Sequence, residues 1–145
     1  VPGPVVQIGM DTPQVTPALL GAVVEGLERH DAVLAPAADG GWWALALRDP
    51  RAARALVGVP MSTDETYAAT RAALRAAGLD VGTAPALVDV DEVDDARAVA
   101  AEAPATRFAA TWRSADQSDR GPVPNRCLSA RRGFDGSDVD GGGGA

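Results

Sequence analysis

The chain has 145 residues, enough for one domain of ordinary size, with 46% hydrophobic but only 4% aromatic residues and a formal net charge of −7. The stretch 1–112 holds 15 acids and 8 Arg and so carries the whole of that charge, which argues against a nucleic-acid polymer or an anionic membrane surface as partner, since both need clustered positive charge. All 13 basic residues are Arg, which removes Lys as nucleophile or phosphate clamp, and the single Cys127 excludes an internal disulfide and makes a reducing, cytoplasmic compartment the expectation.

No apolar run approaches the ~18 residues of a membrane span, and no basic n-region followed by an apolar h-region opens the chain. Val5-Val6-Gln7-Ile8 is a short β-branched run without clean alternation, which predicts a strand covered on both faces and central in a sheet. Thr16-Pro17 predicts a helix start, with Thr as N-cap and Pro in the first turn, and Leu19, Leu20, Val23, Val24 and Leu27 form one apolar stripe to about His30. His30 itself is expected as a solvated C-terminal residue of that helix. Asp31–Pro36 predicts a second strand, 37–41 a loop, and Trp42–Leu47 a third strand. A short helix is expected over Arg51–Leu56. A Ser62/Glu65 capping box is expected to open a helix ending near Gly78, with Arg71 and Arg75 on its solvated face. Val81 and Leu87-Val88 read as weak strand pieces. Asp91 is expected to cap a helix that buries Val93, Ala96, Ala100 and Ala103, and Pro104 to start a last turn or helix ending at Trp112.

This order predicts an α/β fold with a mixed, mostly parallel sheet over residues 1–112. From Arg113 onward Ser, Asp, Gly, Pro and Arg dominate, and 113–145 is expected to be disordered and to be cut first by proteases.

Three motifs carry possible chemistry. Gly9-Met-Asp-Thr-Pro13 places Asp11 just after an apolar strand, where open α/β sheets form their ligand crevice; a carboxylate there suits Mg²⁺ or Mn²⁺, although Asp-Thr-Pro is also an ordinary turn start. Asp39-Gly40-Gly41-Trp42-Trp43 is a second strand-end loop. Its paired glycines permit close approach of a ligand, and its adjacent Trp residues point to opposite faces of a strand, one into the core and one available to a pocket. Between Asp89 and Asp95 five of seven residues are acidic; they suit a helix N-terminus, and Asp89 or Asp91 is a candidate second metal ligand. One His and a remote Cys127 leave no catalytic triad and no zinc cluster.

In order, Gly-x-Asp-Thr-Pro, Pro-x-x-Asp-Gly-Gly-aromatic, Pro-x-Ser-Thr and Asp-x-Asp-x-x-x-Asp resemble a bacterial GT-A-type family of glycosyltransferase-like, radical-SAM/selenodomain-associated transferases. More distantly they resemble molybdenum-cofactor and phospholactate guanylyltransferases. The resemblance spans roughly 5–112 and rests on Gly9, Asp11, Thr12, Pro13, Pro36, Asp39, Gly40, Gly41, Pro60, Ser62, Thr63, Asp89, Asp91 and Asp95. It implies a three-layer nucleotide-diphospho-sugar transferase (Rossmann-like) fold. It implies Asp11 as metal-binding acid, Asp91 or Asp89 as a further ligand, and Thr12, Gly40, Gly41 and Trp42 as binding residues, with Asp39 beside the acceptor.

The chemistry implied is metal-dependent glycosyl transfer from a nucleotide-activated donor, with guanylyltransferase-type nucleotidyl transfer or a non-catalytic binding remnant as alternatives. Met61 and Trp42 stand where the family has Trp and Tyr. The chain reads as the C-terminal half of such a transferase, so the edge beside Val5–Ile8 is expected to be open and self-associating, and the chain inactive by itself.

Overall fold

The computed structural model describes residues 3–119. Its elements are strand β1 (Val5–Ile8), helix α1 (Pro17–Gly26), strands β2 (Ala32–Pro36) and β3 (Trp42–Leu47), a 3-10 segment (Pro50–Leu56), helix α2 (Thr66–Ala76), strand β4 (Val81–Thr83), and helices α3 (Val93–Glu102) and α4 (Arg107–Asp119).

The sheet order is β1-β3-β2-β4. β3 runs antiparallel to both β1 and β2, and β2 pairs with β4 in parallel. The sheet is therefore mixed, as expected, but antiparallel pairing outweighs parallel. The cause is the connection between β2 and β3: residues 37–41 are too few for a crossover, so the chain can only turn back on itself. The longer path from β2 to β4, through the 3-10 segment and α2, allows the parallel pair.

Alternation along β2 and β3 builds two cores. On one face Val33, Ala35, Trp43, Ala44 and Ala46 pack with Val23 and Leu27 from α1. On the other, Ala32, Leu34, Leu45, Leu47 and Val81 pack with Leu74 of α2, while Ala52 and Leu56 of the 3-10 segment cover the margin. This is the three-layer α/β arrangement expected. β1 lies at the edge of the described sheet with β3 on one side, the open edge expected of this chain by itself. It departs from expectation in not being covered on both faces, since Val5 and Ile8 are 42% and 46% exposed. Its β-branched run signals a strand, but only the fold decides that β3 is the neighbour.

Local starts and stops follow the sequence with four corrections. Thr16 does cap α1, its Oγ1 accepting the Leu19 N–H at 3.2 Å. The Ser62/Glu65 box does not form; Ser62 takes a left-handed φ of 58°, and α2 begins at Thr66, whose Oγ1 accepts the Thr63 N–H at 3.0 Å. α3 is capped by Glu92 in a reciprocal box with Asp95, not by Asp91, and its buried residues are Ala96, Val99 and Ala100 while Val93 is 61% exposed. His30 is not a free cap, because its Nδ1 lies 2.8 Å from Asp80 Oδ2. The segment 113–119 continues α4, which stacks Phe108 on Trp112 with ring centroids 6.5 Å apart, so disorder does not start at Arg113. The remainder of that expectation, 120–145, lies outside the described residues. No helix among the described residues is long and apolar enough to cross a membrane.

Candidate metal and substrate cleft

Three chain segments leave the sheet at one end: β1 into Gly9–Asp11, β2 into the 37–41 loop, and β4 into the irregular stretch 84–91. Backbone hydrogen bonds stitch them together. Gly9 N–H donates to Trp43 O at 2.8 Å, Leu87 N–H to Pro36 O at 3.1 Å, Ala38 N–H to Leu87 O at 3.0 Å, and Val90 N–H to Asp11 O at 2.8 Å. The side-chain amide of Gln14, 4% exposed, donates to Val88 O and so ties the turn after Asp11 to the residue before Asp89. Gln14 carried no signal in the sequence, because a lone amide between Pro13 and Val15 shows its partner only once the chain is folded.

These stitches bring Asp11, Asp89 and Asp91 together, with one carboxylate oxygen from each all within 4.8 Å of one another. Oxygens on opposite sides of one cation, each at about 2.0–2.6 Å, lie roughly 4–5 Å apart, so the spacing fits a single hard divalent ion. Asp11 and Asp91 are exposed and Asp89 is buried. Burial raises the Asp89 pKa above the ordinary carboxylate range. A backbone hydrogen bond opposes that rise, while the charges of Asp39 and Asp91 and a hydrogen bond with the Asp39 carboxyl reinforce it. Like-charged carboxylates held this closely without compensation are unfavourable, and a cation is the ordinary remedy.

The carboxylates border an open cleft of about 250 Å³, whose lining includes Asp11, Asp39, Asp89, Gly41, Trp42 and Trp43. Asp39 Oδ1 accepts the Gly41 N–H at 2.6 Å, which fixes its carboxylate at the turn. Trp42 and Trp43 point to opposite faces as expected, yet both line the cleft. Trp42 Nε1 donates to Thr70 Oγ1 at 3.2 Å on the α2 side, and Trp43 Nε1 to Pro85 O at 2.9 Å on the other. A register shift between Ala35 and Pro36 sits opposite them; such bulges re-aim side chains.

Of the remaining candidates, Thr12 is 6% exposed, does not line the cleft, and has no hydroxyl partner among the described residues. Gly40 supports the wall: its φ is +92°, its carbonyl accepts the Tyr67 N–H at 2.8 Å, and a Cβ there would meet Asp64 O at 2.1 Å. Met61, Ser62, Thr63 and Thr66 also line the cleft, although reading the Ser-Thr pair as helix caps gave little sign of it. No Arg or His is among the described lining residues.

The chain is similar to two known groups. Residues 1–63 match a family described as an uncharacterized protein conserved in bacteria (DUF2064). A crystal structure of a proposed nucleotide-diphospho-sugar transferase from Desulfovibrio desulfuricans G20 superposes with a TM-score of 0.70 at 26% identity, over 81% of this chain and 54% of that one. The chain thus spans about half the length of that solved structure. Comparison with curated proteins gives no match. The family match and the structural neighbour together support a GT-A-like relationship, with an open mixed sheet of the nucleotide-diphospho-sugar transferase kind.

Proposed function

We propose that this chain serves metal-dependent, glycosyltransferase-like transfer from a nucleotide-activated small molecule. Asp11, Asp89 and Asp91 would hold Mg²⁺ or Mn²⁺, and Asp39 and Gly41 would face the acceptor. The observation that carries the reading is the convergence of three carboxylates, from segments remote in sequence, at the strand-end crevice of a fold shared with a proposed nucleotide-diphospho-sugar transferase. A bound divalent cation supplies neutralisation of diphosphate charge. The chain's own groups position: Asp39 is held by Gly41 and lines the cleft with Asp89, where a carboxylate can orient an acceptor hydroxyl or take its proton.

Among the described residues the lining presents the carboxylates of Asp11, Asp39 and Asp89 to a diphosphate and no cationic side chain, so attraction within it comes through the cation. Titration calorimetry with uridine diphosphate should therefore show binding only when Mn²⁺ is present, with affinity lower by at least about a hundredfold without it, the equivalent of ~2.7 kcal/mol. Cation-independent binding of equal strength would overturn the reading. Binding of Mn²⁺ with no nucleotide binding in its presence would instead favour a cation-binding module without transfer, which the lack of a basic residue in the described lining supports.

We propose in addition that the chain self-associates through the edge of β1, beside which no described strand pairs and where Val5 and Ile8 are partly exposed. Light scattering should give an apparent mass that rises with protein concentration; a monodisperse monomer across the range would remove this proposal.

A further inference from the structure

The cleft has a second side that the carboxylates do not explain. It consists of Trp42, Met61, Ser62, Thr63 and Thr66. The one polar atom of the Trp42 indole is already spent on Thr70 Oγ1, so what Trp42 offers a ligand is apolar ring surface. That bond also anchors the ring to α2, which makes the surface preformed. Thr63 Oγ1 and Thr66 Oγ1 lie 3.2 Å apart, and Thr66 Oγ1 also accepts the Thr63 N–H. Only one hydroxyl proton is used between the pair, so the other remains for a ligand acceptor. Met61 is 59% exposed, at the mouth, beside the left-handed Ser62.

Size and charge narrow the occupant. About 250 Å³ is below the ~300–1,000 Å³ of pockets that enclose drug-sized ligands, so this part of the open cleft holds one small ring. Asp11, Asp39 and Asp89 line it and no described lining residue is Arg or His, so in the absence of a bound cation a ring carrying its own negative charge meets repulsion.

We infer that this side is an acceptor subsite for a small hydroxylated ring without negative charge, a neutral or amino sugar, with its C–H face on Trp42 and its hydroxyls toward the Thr63–Thr66 pair. The inference rests on the transfer reading for the word acceptor. Its content, a charge-selective ring site, stands or falls separately. Trp42 sets the platform and Met61 the charge of the mouth.

The test is saturation-transfer NMR on the full chain without added divalent cation, using glucose, glucosamine and glucuronate as probes. Glucose and glucosamine should bind, and glucuronate should bind at least tenfold more weakly. Trp42→Ala should abolish the signal for all probes. Because Trp42 also packs against the core, Met61→Lys provides the independent arm: at this exposed position it should strengthen glucuronate binding at least tenfold relative to glucose. Equal binding of glucuronate in the wild type, no response to Met61→Lys, or no binding of any probe would each overturn the inference. Mn²⁺ titration of the same samples separates the two readings: an intact cation response with no sugar binding sinks only the subsite, and sugar binding without a cation response sinks only the metal reading.

Discussion

Asp11→Asn is expected to abolish the rise in melting temperature that Mn²⁺ gives the wild-type protein. A ligand at a hundred times its Kd stabilises the native state by about 2.7 kcal/mol, and each 1 kcal/mol is worth roughly 4 °C in a domain of this size, so the wild-type rise should approach about 10 °C. Asp11 is exposed, so the variant should fold normally and lose only the response. An undiminished Mn²⁺ shift in Asp11→Asn would remove the three-carboxylate site.

Asp89→Asn should behave differently before any cation is added. Burial, then the charges of Asp39 and Asp91, raise the folded-state pKa of Asp89 above its unfolded value. A group shifted in that direction contributes stability in full below its unfolded pKa and loses it as pH rises through the folded pKa. At pH 7 the ionised Asp89 therefore works against the cation-free fold, and Asp89→Asn should raise the melting temperature there while giving no gain at acidic pH. The same variant should lose the Mn²⁺ response. In the wild type, because a carboxylate must be ionised to ligate, Mn²⁺ affinity should begin to fall at a higher pH than an ordinary carboxylate site would show. A cation-free Asp89→Asn protein less stable than wild type at pH 7 would show that the carboxylate is structural, not held for a ligand.

Gly40→Ala should be the most damaging single methyl in the described chain. The residue sits at φ +92°, and the added Cβ would lie 2.1 Å from Asp64 O and 2.6 Å from Asp64 Cα. Those are backbone atoms, so no side chain can swing away, and the Tyr67 N–H bond to Gly40 O ties the two segments further. The expected cost is about 3 kcal/mol or more, a fall in melting temperature of roughly 10 °C or more. Gly58→Ala is the control, because Gly58 has a similar φ of +85° and an added methyl there would meet nothing within 4 Å. It should lose only the conformational share, about 1 kcal/mol. Equal losses in the two variants would mean that the contact between the Asp39–Gly41 turn and Asp64 does not hold the cleft wall. Because the same turn carries Asp39, Gly40→Ala should also weaken any ligand that the wall orients.

Much of this molecule was legible in short windows of sequence. The boundaries of β3 at Trp42–Leu47, the Thr16 cap of α1, and the α2 stop before Gly78 follow from turn chemistry and periodicity, which act over a few residues. The strand-end position of Asp11 was legible for the same reason, and so was the opposite facing of Trp42 and Trp43, which needs only the two-residue period of a strand. The acidic run 89–95 marked a helix start but not its cap, since several adjacent acids satisfy the same local rule and packing chose Glu92 with Asp95.

What only the tertiary structure decided is non-local. Which strand pairs with β1 is decided by the insertion of β3 between β1 and β2, and the Val5–Ile8 run says nothing of that. The meeting of Asp11 with Asp89 and Asp91 depends on the backbone bond from Val90 to Asp11 and on Gln14 reaching Val88, pairings between segments that local propensity cannot register. Sequence by itself determined the elements and the kind of ligand atom at the strand ends; the folded sheet determined which of those atoms share one place, because closing loops of that length is settled by the packing of the whole core.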